Sequence, residues 1–212
     1  WSTACGATPS RRSGRACRPP TPKWPPSGNA KKVIDSFPQD EKIIFGPDYN
    51  LGNYINSVTG RNMLLWNGGC HVHEKFSVEA IVKLKQKYPE AVVMAHLECK
   101  APVLAVADVK GSTATMLHYA QEHPEIKEYI IATEAGILHE LERNCPNVIF
   151  YPVPPEVSEG GVGCSCNECE YMKMNTLKKI YNALKFGWPT VEVAPEIAKK
   201  AVKPIEKMLS LS

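Results

Sequence analysis

Short apolar runs alternate with longer stretches in which apolar side chains recur at helical spacing. β-Branched and aromatic residues within polar bounds predict five strands, at residues 42–45, 62–66, 91–95, 128–133 and 147–151. Helical periodicity predicts helices, at residues 51–58, 76–87, 137–143, 174–186 and 195–211. Strands that alternate with helices in this way indicate an α/β fold with parallel sheets.

The same order of segments occurs twice. A helix start at Ser27 opens the first copy and another at residues 111–113 opens the second, and each continues as strand, helix and strand. The first copy then reaches Cys70, and the second reaches Cys164, Cys166 and Cys169. Two units of one plan, each delivering a thiol beyond a strand end, imply a quasi-symmetric assembly around a shared centre.

Residues 1–26 do not share this pattern. They are rich in Arg and Pro and show no hydrophobic period. Two interpretations stay open: a disordered tail, or a stretch translated out of frame, because misread GC-rich coding DNA yields Pro, Arg, Ala, Thr and Gly. Either way we exclude this segment from the fold prediction.

Composition excludes several classes of partner. Of 212 residues, 43% are hydrophobic and 22% charged, with a net charge of +3 and no basic stripe interleaved with aromatics, so we expect no nucleic-acid partner. The apolar runs are too short to span a bilayer. The chain does not open with a charged region followed by an apolar one, so we expect no secretory signal and a cytoplasmic location.

Three of the eight cysteines crowd into Cys164, Cys166 and Cys169. Such crowding favours a metal or cluster over long-range disulfides, since soft thiolates suit zinc and iron–sulfur clusters. A zinc-binding α/β module that uses these three and Cys70 is one alternative. Cys99 and Cys145 lie near a strand end and a helix end, where a buried free thiol is ordinary.

Other polar residues follow the ends of predicted strands or lie at the starts of predicted helices. Cys70 and His73 lie in residues 66–73 (WNGGCHVH), where paired glycines allow close backbone approach to a ligand; a turn with a buried thiol is the plainer interpretation. His96 and Glu98 follow another strand and can face one pocket. The helix starts at residues 27–29 and 111–113 are typical of anion sites, although N-capping explains them almost as well.

Taken together, the motifs resemble those of the quinolinate synthase family from about Ser27 to the C-terminus. The matching stretches are residues 47–52 (PDYNLG), 66–73 (WNGGCHVH), 95–99 (AHLEC), 111–113 (GST), 132–136 (ATEAG), 164–169 (CSCNEC) and 172–175 (MKMN).

The resemblance implies three pseudo-symmetric αβα domains with small parallel sheets, arranged around one [4Fe–4S] cluster, with two of the three present in this chain. Residues 27–73 would complete the second domain, 74–170 would form the third, and 171–212 would be helices that pack on the missing first domain. Cys70 and Cys169 would be cluster ligands, with Cys166 as the alternative to Cys169.

The resemblance also implies a reaction. The family condenses iminoaspartate with dihydroxyacetone phosphate to quinolinate in NAD biosynthesis, releasing phosphate and water. The resemblance also implies a functional link between this chain and L-aspartate oxidase. His73 and Glu98 would be the acid–base residues, and four residues would hold substrate: Ser27, His96, Ser112 and Thr113. The remaining alternative is an inactive gene fragment. Because the first domain is expected to be missing, we predict that the C-terminal helices expose apolar faces and favour self-association.

Overall fold

The computed structural model describes residues 3–6, 27–155 and 167–211. Its strands are β1 (Thr3–Gly6), β2 (Ile43–Gly46), β3 (Leu64–Leu65), β4 (Val92–His96), β5 (Val109–Gly111), β6 (Glu128–Ala132) and β7 (Ile149–Pro152). Its α-helices are α1 (Ala30–Asp35), α2 (Tyr49–Thr59), α3 (Val78–Lys87), α4 (Ala101–Val106), α5 (Thr113–Glu122), α6 (Ile137–Asn144), α7 (Glu170–Lys173), α8 (Leu177–Phe186) and α9 (Pro195–Leu209). Short 3₁₀ helices cover Ser27–Asn29 and His73–Lys75. Cys164 and Cys166 lie outside the described residues.

The larger sheet has the strand order β5-β4-β6-β7, and all its neighbouring strands are parallel. The central strands β4 and β6 are buried along most of their length, as expected for parallel strands covered on both faces. This sheet confirms the predicted α/β fold with small parallel sheets.

Alternate residues of the central strands enter two different apolar cores. Val93 and Ile130 point into a core shared with helices α3 and α4. Met94 and Ile131 point into a second core shared with helices α5 and α6. Because successive strand residues face opposite sides of a sheet, the helices form layers on both faces, which gives the three-layer αβα arrangement.

The smaller sheet has the order β1-β2-β3, with β2 and β3 parallel and β1 antiparallel to β2. Ile43 and Phe45 of β2 pack into a third core with α1 and α2. The other face is open, since Ile44 is 43% and Leu64 is 67% exposed. Strand β1 lies within residues 1–26, the segment that the fold prediction excluded, and its backbone pairs with β2 along four residues.

The C-terminal helices carry apolar side chains that little of the described chain covers. Leu177 is 86% and Leu184 is 84% exposed on α8. The predicted single helix over residues 174–186 is wrong at its start, because Thr176 caps α8 by accepting a hydrogen bond from the Lys179 amide at 3.3 Å. Among the described residues, no helix is long and apolar enough to cross a bilayer.

Candidate functional site

The carboxyl ends of three parallel strands meet at one edge of the larger sheet. His96, the last residue of β4, is in register with Gly111, the last of β5. Ala95 is in register with Ala132, the last of β6. Side chains that follow these ends therefore gather at one place, the usual position of ligand sites in α/β folds. This edge brings together His96, Glu98, Ser112 and Thr133.

Asp48 fixes the loop that carries Cys70. One carboxylate oxygen of Asp48 accepts the Leu51 amide hydrogen bond at 2.7 Å and so caps helix α2. The other accepts from the Cys70 amide at 2.9 Å. Gly68 allows the close passage of this loop, since a Cβ there would lie 2.7 Å from the carbonyl oxygen of Pro47. The loop after β3 is thereby tied to the start of α2.

His73 lies at the centre of the site. Its side chain is buried, and its Nδ1 lies 3.3 Å from Oε2 of Glu98. Its Nε2 lies 3.0 Å from the hydroxyl of Thr133. Donor atoms of Cys70, His73 and Glu98 all lie within 4.8 Å of one another. The structure thus brings three sequence-predicted site residues together.

His96 stacks on His73, with ring centroids 4.6 Å apart and an angle of 18° between the rings. The Nδ1 atom of His96 accepts a hydrogen bond from the Glu98 amide at 3.3 Å. A neutral imidazole with Nδ1 as acceptor carries its proton on Nε2. His96 is therefore available to donate one hydrogen bond from Nε2.

The stacked histidines titrate in opposite directions. Burial lowers the pKa of His73, but the neighbouring Cys70 thiolate and Glu98 carboxylate outweigh it and raise the pKa to about 9. Burial, with the positive charge of His73, lowers the pKa of His96 to about 4 against the opposing charge of Glu98. At neutral pH the pair therefore consists of one imidazolium and one neutral imidazole.

The thiol and the carboxyl beside His73 are both shifted toward their charged forms. Burial raises the pKa of Cys70, but hydrogen bonding and the charge of His73 bring it below its ordinary value. Burial likewise raises the pKa of Glu98, and the hydrogen bond and charges of the two histidines lower it overall. Both shifts favour the charged forms of Cys70 and Glu98 beside the imidazolium of His73.

Cys169 lies beside the end of β6 and next to the Cys70 loop. Its amide donates to Oε1 of Glu134 at 3.2 Å, while Oε2 of Glu134 accepts from the Gly136 amide at 2.8 Å. The rings of His71 and Tyr171 meet edge to face at 5.2 Å. Cys70 and Cys169 are both half-buried and pack against the same apolar core. The third sequence candidate, Cys166, lies outside the described residues.

The two predicted anion sites also lie side by side. Ser112 is buried and caps helix α5, accepting from the Thr115 amide at 3.2 Å, while Thr113 is exposed in the first turn. A Cβ at Gly28 would lie 3.4 Å from Oγ of Ser112. The segment that carries Ser27 therefore packs against the start of α5.

Sequence reasoning missed three residues that position this site. Asp48, Thr133 and Glu134 hold Cys70, His73 and Cys169, respectively. Asp48 carried a local signal, since a strand followed by Asp and a helical stretch is typical of an N-cap. Thr133 and Glu134 lie within the matching stretch 132–136, but their contacts join distant parts of the chain, so that motif did not reveal their roles.

Comparison with known proteins identifies similar chains. The family model described as quinolinate synthetase A protein matches residues 25–210. Curated relatives named quinolinate synthase from Chloroherpeton thalassium and from a Nostoc species are each 44% identical over 186 residues. A relative of the same name from a Synechocystis species is 43% identical over 186 residues. The matches cover 88% of this chain and 56% to 57% of the relatives, so the chain spans just over half their length.

Proposed function

The chain belongs to the quinolinate synthase family, and on that premise we propose that it carries the cluster ligands Cys70 and Cys169 and the acid–base residues of such an enzyme. The proposed reaction condenses iminoaspartate, supplied through the link to L-aspartate oxidase, with dihydroxyacetone phosphate. Quinolinate, phosphate and water are the products, and the step belongs to NAD biosynthesis. The observation that carries the proposal is the convergence of Cys70, His73, His96 and Glu98 at the carboxyl ends of parallel strands.

The thiols fit an iron–sulfur cluster in their chemistry and placement. Cys70 has a lowered pKa, and thiolate is the form that binds iron. Cys169 faces the same apolar core, which would shield a cluster from water. Cys166 is the alternative to Cys169 as ligand. A bound [4Fe–4S] cluster would supply an open iron that polarises substrate oxygen as a Lewis acid.

His73 is suited to act as a general acid and Glu98 as a general base. The raised pKa of His73 keeps it protonated at neutral pH, so it can deliver a proton from Nδ1 to a departing hydroxyl group. The lowered pKa of Glu98 keeps it a carboxylate, which can accept a proton during ring closure. Their separation of 3.3 Å lets one residue restore the other between steps.

Four neighbouring residues suit recognition of carboxylate and phosphate groups. His96 offers an Nε2 proton without adding charge, because its pKa is lowered. Ser112 and Thr113 lie at the start of α5, where unpaired backbone amides attract anions. Ser27 comes from the segment packed against Ser112. We assign these four residues to substrate recognition, with His73 and Glu98 as the acid–base pair.

Anaerobic reconstitution with iron and sulfide tests this proposal. We expect a brown, air-sensitive chromophore with bound iron and labile sulfide, and loss of both in Cys70→Ala and Cys169→Ala. Cys145→Ala is the matched control, because Cys145 is a buried thiol in a different core. Quinolinate formation from the two substrates is then measured on the reconstituted protein. Equal iron and sulfide in all three variants would overturn the ligand assignment.

A further inference from the structure

Three chemically different metal donors converge in the site. Donor atoms of the Cys70 thiol, the His73 imidazole and the Glu98 carboxylate lie within 4.8 Å of one another, and His73 Nδ1 is 3.3 Å from Glu98 Oε2. Zinc binds nitrogen and oxygen at about 2.0–2.2 Å and sulfur at about 2.3 Å. Two donors on one tetrahedral zinc are therefore about 3.3–3.7 Å apart. The His73–Glu98 separation already has this value.

His73 has the orientation of a metal ligand. Its side chain is 6% exposed, and its Nδ1 lies 3.3 Å from Oε2 of Glu98. Its Nε2 contacts the Thr133 hydroxyl at 3.0 Å. A ligating histidine usually donates its second ring N–H to a neighbouring oxygen, and this contact fixes which nitrogen faces the metal. Nδ1 therefore faces the Cys70 thiol and the Glu98 carboxylate, the two other donors of the group.

The surroundings leave room for a fourth ligand. Cys70 and Glu98 line a cavity of about 320 Å³ together with Asp48 and Trp66. Asp48 is not a candidate ligand, because its two oxygens already accept backbone amides. Water or a small anion can therefore enter beside the three protein donors, the arrangement of an open zinc site.

We propose that Cys70, His73 and Glu98 bind a single divalent ion of the zinc class, and that this ion and the iron–sulfur cluster exclude each other. Both need the Cys70 thiolate, so one protein molecule holds either the ion or the cluster. Binding of the ion releases the Nδ1 proton of His73 to solvent. The thiolate and the carboxylate then carry two negative charges, which one divalent ion balances, and His73 binds as a neutral imidazole. This ligand set shares only Cys70 with the all-cysteine zinc alternative, which uses Cys70, Cys164, Cys166 and Cys169.

Titration of the purified, metal-free chain with zinc and with cobalt tests the proposal. We expect one ion per chain and, with cobalt, a thiolate charge-transfer band that disappears in Cys70→Ser. His73→Gln and Glu98→Gln should each weaken zinc binding by more than about 100-fold, beyond the loss typical of outer-shell changes. Circular dichroism confirms that each variant is folded, and the two glutamine variants serve as independent tests.

Cys169→Ala separates this site from the cluster. The mononuclear site does not use Cys169, so zinc affinity should stay within about threefold of the parent chain, as in the Cys145→Ala control, a change below about 1 kcal/mol. Cluster assembly needs Cys169, so the two proposals fail in different variants. Zinc binding that survives His73→Gln and Glu98→Gln but is lost in Cys169→Ala would overturn the inference. Absence of zinc binding to the parent chain would also overturn it.

Discussion

The imidazole Nε2 of His73 and the hydroxyl of Thr133 lie 3.0 Å apart, although 60 residues separate them in the chain. His73 belongs to the loop that follows β3, and Thr133 follows the last residue of β6. The contact therefore connects the smaller sheet to the edge of the larger one. It also leaves Nδ1 of His73 directed at Glu98 and Cys70.

Thr133→Val should weaken cobalt and zinc binding by about 10-fold, because it removes the oxygen that orients His73. Valine has nearly the same shape, and Thr133 is only 2% exposed, so packing is preserved. Thr133→Ser keeps the hydroxyl and should restore the affinity. Cobalt titration measures both variants. Equal affinity in the parent chain and Thr133→Val would show that this contact does not orient the imidazole.

Asp48→Ala should lower the free energy of unfolding by about 2–4 kcal/mol, because it removes a helix cap and leaves the Cys70 amide unpaired. Ser77→Ala is the matched comparison. Ser77 caps α3 through the Ala80 amide at 3.2 Å and is as buried as Asp48, but holds no second amide. It should cost only about 1 kcal/mol. Urea denaturation measures both, and equal losses would mean that the bond to Cys70 contributes nothing.

Glu134→Ala should lower the yield of reconstituted cluster and speed its bleaching in air. The substitution removes the acceptor for the Cys169 and Gly136 amides and so frees the loop that presents the Cys169 thiol. Iron content and absorbance decay are the measurements. Glu140→Ala is the control, since Glu140 lies on α6 and its exposed carboxylate makes only long contacts, with Arg143 at 3.9 Å and Asn144 at 3.4 Å, both on the same helix. A parent-like cluster in Glu134→Ala would contradict the role of this carboxylate.

Tyr129→Phe should raise the free energy of unfolding by about 1 kcal/mol. The Tyr129 side chain is fully buried, and its hydroxyl has no hydrogen-bond partner among the described residues. Phenylalanine keeps the stacking on Phe150, whose centroid is 5.6 Å away, and removes the unpaired polar group. Thermal and urea unfolding measure the change. A loss of stability would reveal that the hydroxyl is hydrogen-bonded in solution.

Leu177→Lys combined with Leu184→Lys should reduce self-association of the chain. Both leucines are more than four-fifths exposed, at 86% and 84%. Charged residues at these positions break the apolar surface of α8, whereas the folding free energy should change by less than about 0.5 kcal/mol per site. Sedimentation velocity across a concentration series measures the effect. Lys178→Ala, an exposed change on the same helix, should leave association unaltered.

The sequence predicted the central strands well, because buried parallel strands leave continuous apolar runs. Strand β5 was missed, since Val109–Gly111 is short and carries a lysine. The strand predicted over residues 62–66 is shorter in the structure, Leu64–Leu65, and it pairs with β2 through two residues. The hydrophobic pattern of the sequence thus located the buried strands. It did not locate short strands that are defined by backbone pairing and not by burial.

In the candidate site, too, local motifs predicted individual residues but not the contacts between them. Cys70, His73, His96 and Glu98 were predicted because each lies in a short motif at the end of a strand. Sequence spacing did not predict that His96 stacks on His73, since the contact depends on where two sheets meet. The opposite pKa shifts of these histidines follow from that contact and from shared neighbours. The electrostatics of the site is therefore a property of the tertiary structure.

The Asp48 carboxylate accepts hydrogen bonds from two backbone amides, and this should couple the motions of the two segments that carry them. Leu51 lies in the first turn of helix α2, and Cys70 is the candidate ligand. The amides of both residues donate to the same carboxylate. Opening of either segment must break a bond to the same side chain, so their fluctuations are coupled. Occupation of the Cys70 thiol should therefore slow hydrogen exchange at the Leu51 amide as well, and this amide becomes a remote reporter of whether the site is filled.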